Sequence, residues 1–303
     1  MAKWTAGDIG DQTGRTAVVT GANSGVGFEA ALELAGHGAT VILACRDAAR
    51  GAAALARVRA RGSAELATLD LADLSSVRRF AAELSGPLDL LVNNAGVMAI
   101  PRRESADGLE MQFATNHLGH FALTGLLLPA LLTRPGARVV TVSSPAAQMG
   151  HMSLDDLQGV RRYRRWGAYS QSKLANQLFA FELDRRLRGA GLGLLSVAAH
   201  PGYAATNLST VFAGNNPVLR VAVWVSDHTV AQSASAGSLP ILFAATAPGV
   251  NGGEYFGPDL LGGMRGHPTR ISPARGAKGA DLAARLWAVS EQLSGVTYPL
   301  APV

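Results

Sequence analysis

Cysteine is nearly absent from this chain: Cys45 is the one thiol in 303 residues. A lone cysteine excludes an intramolecular disulfide and a multi-cysteine zinc site, and the sparse usage fits a reducing compartment. Charge is scarce too, with 16% charged against 48% hydrophobic residues. That excludes a disordered chain, which needs low hydrophobicity and high net charge. Long apolar runs are missing. The longest, residues 121–132, contains Thr124, Gly125 and Pro129. It falls well short of the roughly 20 residues a membrane span needs. The first 13 residues are polar and hold no apolar signal core. The expectation is a cytoplasmic protein with no transmembrane segment. Glycine is plentiful, 35 residues, but shows no three-residue period, so a collagen-like chain is excluded.

What the chain has is an alternation of strand and helix. Apolar, β-branched stretches at residues 16–20, 40–45, 66–71, 88–92, 138–143 and 192–199 read as strands. Helical stretches at 25–36, 48–60, 75–84, 108–132 and 168–188 lie between them. This beat predicts βαβ units and a parallel sheet buried on both faces. The fold class is therefore α/β, a doubly wound parallel sheet of the Rossmann type. No linker or charge block interrupts the beat from about residue 14 to 200, so residues 1–303 read as one domain. Residues 204–226 form an irregular or helical excursion, helical signal returns over 228–245, a late strand falls at 253–256, and a last helix at 278–293.

The net charge of +5 favours anionic ligands, and a phosphorylated cofactor, a membrane surface and nucleic acid all qualify. The first strand–helix junction narrows the choice. It reads Thr20-Gly21-Ala22-Asn23-Ser24-Gly25-Val26-Gly27. Glycines there permit a tight turn and close backbone approach to a pyrophosphate seated on the helix N-terminus. Its Gly-x3-Gly-x-Gly spacing is accompanied, in order, by Asn93-Asn94-Ala95-Gly96, Asn116, Ser144, Tyr169-x3-Lys173 and Pro201-Gly202-x3-Thr206. In these motifs the sequence resembles the short-chain dehydrogenase/reductase family, in its compact single-domain branch. Ala44-Cys45-Arg46-Asp47, residues 116–121 and residues 172–176 are similar to the retinol dehydrogenase and WW-domain oxidoreductase group.

Cofactor preference is read at the end of the second strand. NAD enzymes place a carboxylate about 20 positions after the glycine turn, to hold the ribose hydroxyls. Arg46 stands there instead, and a guanidinium fork suits a 2′-phosphate. The expectation is NADP(H) over NAD(H). Asp47 beside it either reads the ribose or caps the next helix, and Arg46 as a solvated charge is the bland alternative. The resemblance implies that Gly21, Gly25, Val26 and Gly27 hold the pyrophosphate, with Asn23 and Ser24 near the 2′-phosphate. It likewise places Asp70 and Leu71 by the adenine, and Asn93, Ala95 and Gly96 along the ribose. Pro201, Gly202 and Thr206 would meet the carboxamide.

Tyr169 and Lys173 are spaced i, i+4, which puts both on one helix face. A free phenol titrates near 10, too high for acid–base work at neutral pH. A lysine cation about 4 Å away at an effective dielectric of ~20 is worth about 4 kcal/mol. That equals roughly 3 pKa units, which desolvation partly opposes. The pair reads as proton donor to a carbonyl or base for an alcohol. Ser144 follows the fifth strand, where it can hydrogen-bond the substrate oxygen, with Ser143 as its competitor. By resemblance Asn116 holds a water in a proton relay near Lys173, and Lys173 and Tyr169 also touch the nicotinamide ribose. A buried structural asparagine is the alternative.

Other features read less sharply. Ser144 and Tyr169 lie 25 positions apart, against about a dozen in most of the family; the retinol dehydrogenase-like group has a similar insertion. It carries Arg161-Arg162-Tyr163-Arg164-Arg165-Trp166, a loop, an anion contact or a lipid contact, with no nucleic acid expected. His117 and His120 have ligand spacing but no third ligand, and no metal is expected. His200 is a structural histidine or a substrate contact. Apolar residues of 204–227 suggest a cover over a lipophilic substrate, or a subunit contact.

The function expected is NADP-dependent interconversion of a carbonyl and an alcohol on a lipophilic small molecule, in a homo-oligomer associating through the helices at 108–132 and 168–188. The alternative is a non-catalytic NADP-binding sensor or interaction protein. A sugar-nucleotide epimerase would carry Gly-x2-Gly-x2-Gly and a larger C-terminal lobe, which this chain lacks.

Overall fold

Burial on both faces is what makes the central strands. In β1 (Thr16–Thr20), β2 (Thr40–Cys45), β4 (Leu90–Asn93), β5 (Arg138–Val142) and β6 (Leu195–Ala199), nearly every residue is buried. Such strands form a parallel sheet covered by helices on each side. The computed structural model describes residues 3–203 and 232–300. Within them one eight-stranded sheet runs in the order β3-β2-β1-β4-β5-β6-β7-β8. All neighbours are parallel except β7 (Tyr255–Leu260) and β8 (Arg265–Arg270), which form an antiparallel hairpin at the edge. The doubly wound sheet expected from the alternation is therefore present. Its strand order reverses between β1 and β4, which opens a crevice at their carboxyl ends.

Adjacent residues of one strand serve opposite layers. Val19 packs with Phe28, Leu34, Val41 and Ile241 on the side of α1 (Gly25–Gly36) and α2 (Ala48–Arg59). Val18 packs with Phe80, Leu123 and Val139 on the side of α3 (Leu74–Glu83).

Three expectations are corrected. The third strand is Ala64–Thr68, not 66–71; residues 69–71 are a turn in which Asp70 accepts the N–H of Ala72. The long helix expected over 108–132 is broken into α4 (Met111–Phe113), a π-helical turn (Ala114–Leu118) and α5 (Gly119–Leu132). The edge strand β8 was not foreseen, because Arg265-Gly266-His267-Pro268-Thr269-Arg270 carries charge and proline and no apolar alternation. Natural edge strands are blunted in this way.

Helix α6 (Arg165–Gly189) crosses behind the sheet, and its residues 169–180 are all buried. The last helix, α8 (Ala280–Ser294), following α7 (Ala234–Thr246), lies over both α5 and α6. Its Trp287 meets Phe121 of α5 at 5.1 Å and Phe179 of α6 at 5.9 Å between ring centres, with Tyr298 at 4.5 Å. The Tyr298 hydroxyl donates to the Phe121 carbonyl at 2.6 Å. Part of each helix expected as a subunit contact thus packs against α8 of the same chain. The excursion at 204–226 and Thr206 lie outside the described residues. Among those described, no helix is long and apolar enough to cross a membrane.

The same cluster encloses His117, whose Nε2 lies 2.9 Å from Ser290 Oγ. Burial pushes the imidazoles of His117 and His120 down to about 3. An unfolded chain holds them near 6.5. Between about pH 3 and 6.5 the unfolded state binds more protons than the native one, so their contribution to stability is present above pH 6.5 and lost as pH falls. The melting temperature is expected to drop as pH goes from 7 to 5, before carboxylates titrate, and to drop less in a His117→Gln variant. A flat profile for the wild type would sink this account.

Candidate active site

The crevice at the carboxyl ends is a cleft of about 400 Å³ that joins the strand–helix turns after β1, β2, β4, β5 and β6. At its phosphate end β1 stops at Thr20 and the chain turns through Gly21 (φ 67°) into α1, with Ser24 as an extended N-terminal flank. Gly27 cannot carry a side chain. A Cβ there would lie 2.2 Å from Asn94 Nδ2 and 2.8 Å from the Gly21 carbonyl. The missing Cβ is the space through which Asn94 donates to the Thr20 carbonyl at 2.8 Å. Asn23, Ser24, Gly25 and Val26 line the cleft at this helix N-terminus, where free N–H groups favour an anion.

At the far end Asp47 lines the cleft and also caps a helix. Its side chain accepts the Arg50 N–H at 3.0 Å and caps α2. Arg46 lines the cleft, and Arg50, not foreseen from the sequence, lines it as well. Asp70 and Leu71 form the opposite wall with Leu69. Cys45 sits just behind, and burial pushes its thiol up to about 11, the behaviour of an inert core cysteine.

In the middle lies the loop after β4. Ala95 and Gly96 line the cleft together with Asn94. Asn93 does not; it is fully buried and donates to Thr124 Oγ1 at 2.9 Å. Thr20 holds this loop by accepting the N–H groups of Asn94 and Ala95 on its hydroxyl, each at 2.9 Å.

The chemical end gathers Ser144, Tyr169 and Lys173 on one wall. Ser143 and Ser144 separate clearly. Ser143 donates to the Lys173 carbonyl at 2.8 Å and accepts from Gln177, while Ser144 accepts the Ala146 N–H at 3.2 Å and lies beside the Tyr169 phenol, which it lowers. Burial raises the Tyr169 phenol above its ordinary value, and Ser144 pulls it back. Lys173 is 5.9 Å from the Tyr169 ring centre and donates to the Val142 carbonyl at 3.1 Å. Its own burial lowers it to about 8. The strong lowering of Tyr169 by Lys173 expected from spacing is absent here, and burial leaves the phenol above its ordinary value. Both groups are buried, and desolvation acts on each before either acts on the other.

Asn116 lies one layer behind the cleft wall, fully buried in the π-helical turn. Its amide clamps Val97, accepting from its N–H at 2.8 Å and donating to its carbonyl at 2.9 Å; it also donates to Ser172. Pro201 and Gly202 line the cleft beyond β6. His200 accepts the Gly202 N–H at 3.0 Å on Nδ1 and is held down at about 4 by burial, which fits its structural reading. The arginine-rich insertion is anchored by Tyr163. Its hydroxyl is 3.0 Å from Glu110 Oε1 and 2.8 Å from Gln112 Nε2, and Glu110 in turn caps the helix leading to Asn116. Trp166 on this segment meets the Tyr169 ring edge-on at 5.9 Å.

Comparison with known proteins agrees with this geometry. A family profile described as short chain dehydrogenase matches residues 15–215. Human retinol dehydrogenase 13 is 40% identical over 300 residues, 94% of this chain and 86% of that one. A solved but uncharacterized protein of Mycobacterium paratuberculosis is 48% identical, covers 99% of this chain and 100% of its own, and superposes with a TM-score of 0.85. RhlG of Pseudomonas aeruginosa, solved as an NADP active-site complex, is 27% identical with a TM-score of 0.63, over 81% of this chain and 94% of its own.

A Gly27→Ala substitution is expected to displace Asn94 and weaken nicotinamide cofactor binding about tenfold or more, equivalent to roughly 1.4 kcal/mol. Fluorescence titration of the variant checks this, and binding equal to wild type would show that the turn tolerates the extra carbon.

Proposed function

The chain belongs to the short-chain dehydrogenase family and is an NAD(P)-dependent oxidoreductase, and we propose that it uses NADP(H) to interconvert an alcohol and a carbonyl on a lipophilic small molecule. The observation that carries the proposal is one continuous cleft. Two arginines line one end, and Ser144, Tyr169 and Lys173 share a wall at the other.

The residues fit a phosphorylated dinucleotide. Residues 21 and 23–27 line the cleft at the N-terminus of α1, where backbone N–H groups favour a pyrophosphate. Arg46 and Arg50 would hold a 2′-phosphate, with Asn23 and Ser24 beside them, because guanidinium forks pair with phosphate oxygens. Asp47, although it also lines the cleft, uses one carboxylate oxygen as a helix cap, which leaves the two guanidinium groups as the stronger contacts for a phosphate. When bound, the nicotinamide supplies or accepts the hydride.

The chain's own task is the proton and the developing charge. Tyr169 Oη gives a proton to the carbonyl oxygen in reduction and takes one from the alcohol in oxidation. Ser144 Oγ, beside that phenol on the cleft lining, donates to the same substrate oxygen and stabilises charge on it. Lys173, 5.9 Å from the Tyr169 ring centre, would set the phenol's electrostatics when charged and hold the ribose of a bound cofactor. Asn116 fixes the backbone of Val97 and, from its place behind Lys173, would hold the water of a proton relay. The lipophilic substrate class follows the likeness to retinol dehydrogenase 13 and the apolar Met98, Val142 and Tyr203 that line this end.

Two measurements test the reading. Titration with NADPH and NADH should show tighter NADPH binding, with the preference falling about tenfold in Arg46→Ala or Arg50→Ala, as loss of a charge-assisted bond predicts. Tighter NADH binding by the wild type would refute the NADP assignment. In a panel of apolar aldehydes and ketones, Tyr169→Phe should retain cofactor binding and lose turnover by about 100-fold or more; unchanged turnover would remove Tyr169 from the chemistry.

A further inference from the structure

His120 is fully buried at the second position of α5, with both ring nitrogens bonded. Nδ1 lies 3.0 Å from the Asn116 carbonyl and Nε2 lies 2.9 Å from Thr20 Oγ1. The partners dictate the tautomer. A carbonyl only accepts, so Nδ1 carries the hydrogen and Nε2 is bare. The Thr20 hydroxyl then donates to Nε2, which is nearer than its other acceptor, the Val92 carbonyl at 3.3 Å. The same oxygen accepts the N–H groups of Asn94 and Ala95. The result is a single directed run: Asn94 and Ala95 N–H to Thr20, Thr20 to His120, His120 to Asn116. With the Nδ1–H tautomer, donors and acceptors match along its whole length.

The run joins two parts of the cleft that are distant in sequence. One is the loop at 94–96, which lines the middle of the cleft. The other is the π-helical turn of Asn116. They also meet directly, since a Cβ on Gly96 would be 3.0 Å from Asn116 Oδ1 and 3.5 Å from Lys173 Nζ. In the π-helical turn the Gly119 N–H bonds back to the Ala114 carbonyl, and the His120 ring occupies the Asn116 carbonyl. Burial, with the Lys173 charge acting in the same sense, keeps the ring neutral, the one state that fits both partners.

We propose that His120 is a positioning residue for the oxidoreductase reaction, a strut that fixes the cofactor loop and the Asn116 turn behind Lys173 in one geometry. The inference rests on the oxidoreductase reading of the cleft. A side chain that merely filled space would be replaceable by an apolar one of similar size. A strut requires a donor toward Asn116 and an acceptor toward Thr20.

The test compares His120→Leu, which has neither, with His120→Gln, whose amide has both. NADPH and NADH dissociation constants, kcat and KM on the best carbonyl of the panel, and melting temperature are measured for each. His120→Leu is expected to lose about tenfold in kcat and to bind cofactor about threefold more weakly, with His120→Gln recovering kcat to within about threefold of wild type. A folded His120→Leu with kcat and cofactor affinity within about twofold of wild type overturns the proposal, as does a folded His120→Gln no better than His120→Leu. If His120→Leu does not fold, His120→Asn takes its place. It reaches the Asn116 carbonyl but not Thr20, so weakened cofactor binding supports the strut and wild-type binding refutes it. A wild type that binds cofactor yet turns over no carbonyl would count against the oxidoreductase reading, and the affinities alone would still decide the strut.

Discussion

Satisfying the backbone of a loop that turns away from a parallel sheet is the constraint on which this site is built. Where β4 ends, Asn94 and Ala95 leave the ladder, and their N–H groups need acceptors away from water. The Thr20 hydroxyl accepts from both, sharing the Asn94 N–H with the Val92 carbonyl, and the Thr20 carbonyl takes the Asn94 amide. Because Thr20 is also the last residue of β1, the loop's position is set by the strand that launches the glycine turn. The absence of a Cβ on Gly27 follows from the same contact, since the Asn94 amide fills that space. Phosphate end and chemical end are therefore held to one reference point, and about 1–3 kcal/mol attaches to each buried polar group left unpaired there.

The helices take their places around that point. The π-helical turn moves Asn116 into reach of Val97 and Ser172, so the wall behind Lys173 is fastened by side-chain amides rather than by packing alone. Such turns interrupt α-helices often at functional sites. Glu110 caps the entry to this turn and also receives Tyr163, so the insertion between Ser144 and Tyr169 is pinned to the helix carrying Asn116. The basic run that drew attention as a surface for anions thus has an internal anchor in its centre.

Much of the fold is legible in the sequence because it rests on local signals: buried strands, amphipathic or wholly apolar helices, and glycines at the first turn. The glycine turn, Ser144, Tyr169 and Lys173 are brought into one cleft as their motif order implies. What sequence reasoning missed depends on partners far along the chain. Thr20 reaches residues 74 and 75 positions away, and His120 is 100 positions from Thr20. No periodicity encodes such pairs. The broken helix before α5 was invisible for another reason: a π-helical turn keeps helical composition and changes only its hydrogen-bond step. Asn93 shows the reverse case, a motif residue whose side chain turns into the core while its neighbour Asn94 faces the cleft. Edge strand β8 is written in charge and proline, and nothing in it asks for a strand except the hairpin partner.

Helix α8 has one more consequence. By laying Trp287 across Phe121 and Phe179 it supplies, from the same chain, the packing behind the helices that carry Asn116, Tyr169 and Lys173. A support borrowed from a second subunit would weaken by mass action as the protein is diluted. An intramolecular support has no such concentration dependence, so the backing of these helices is the same at nanomolar and millimolar protein.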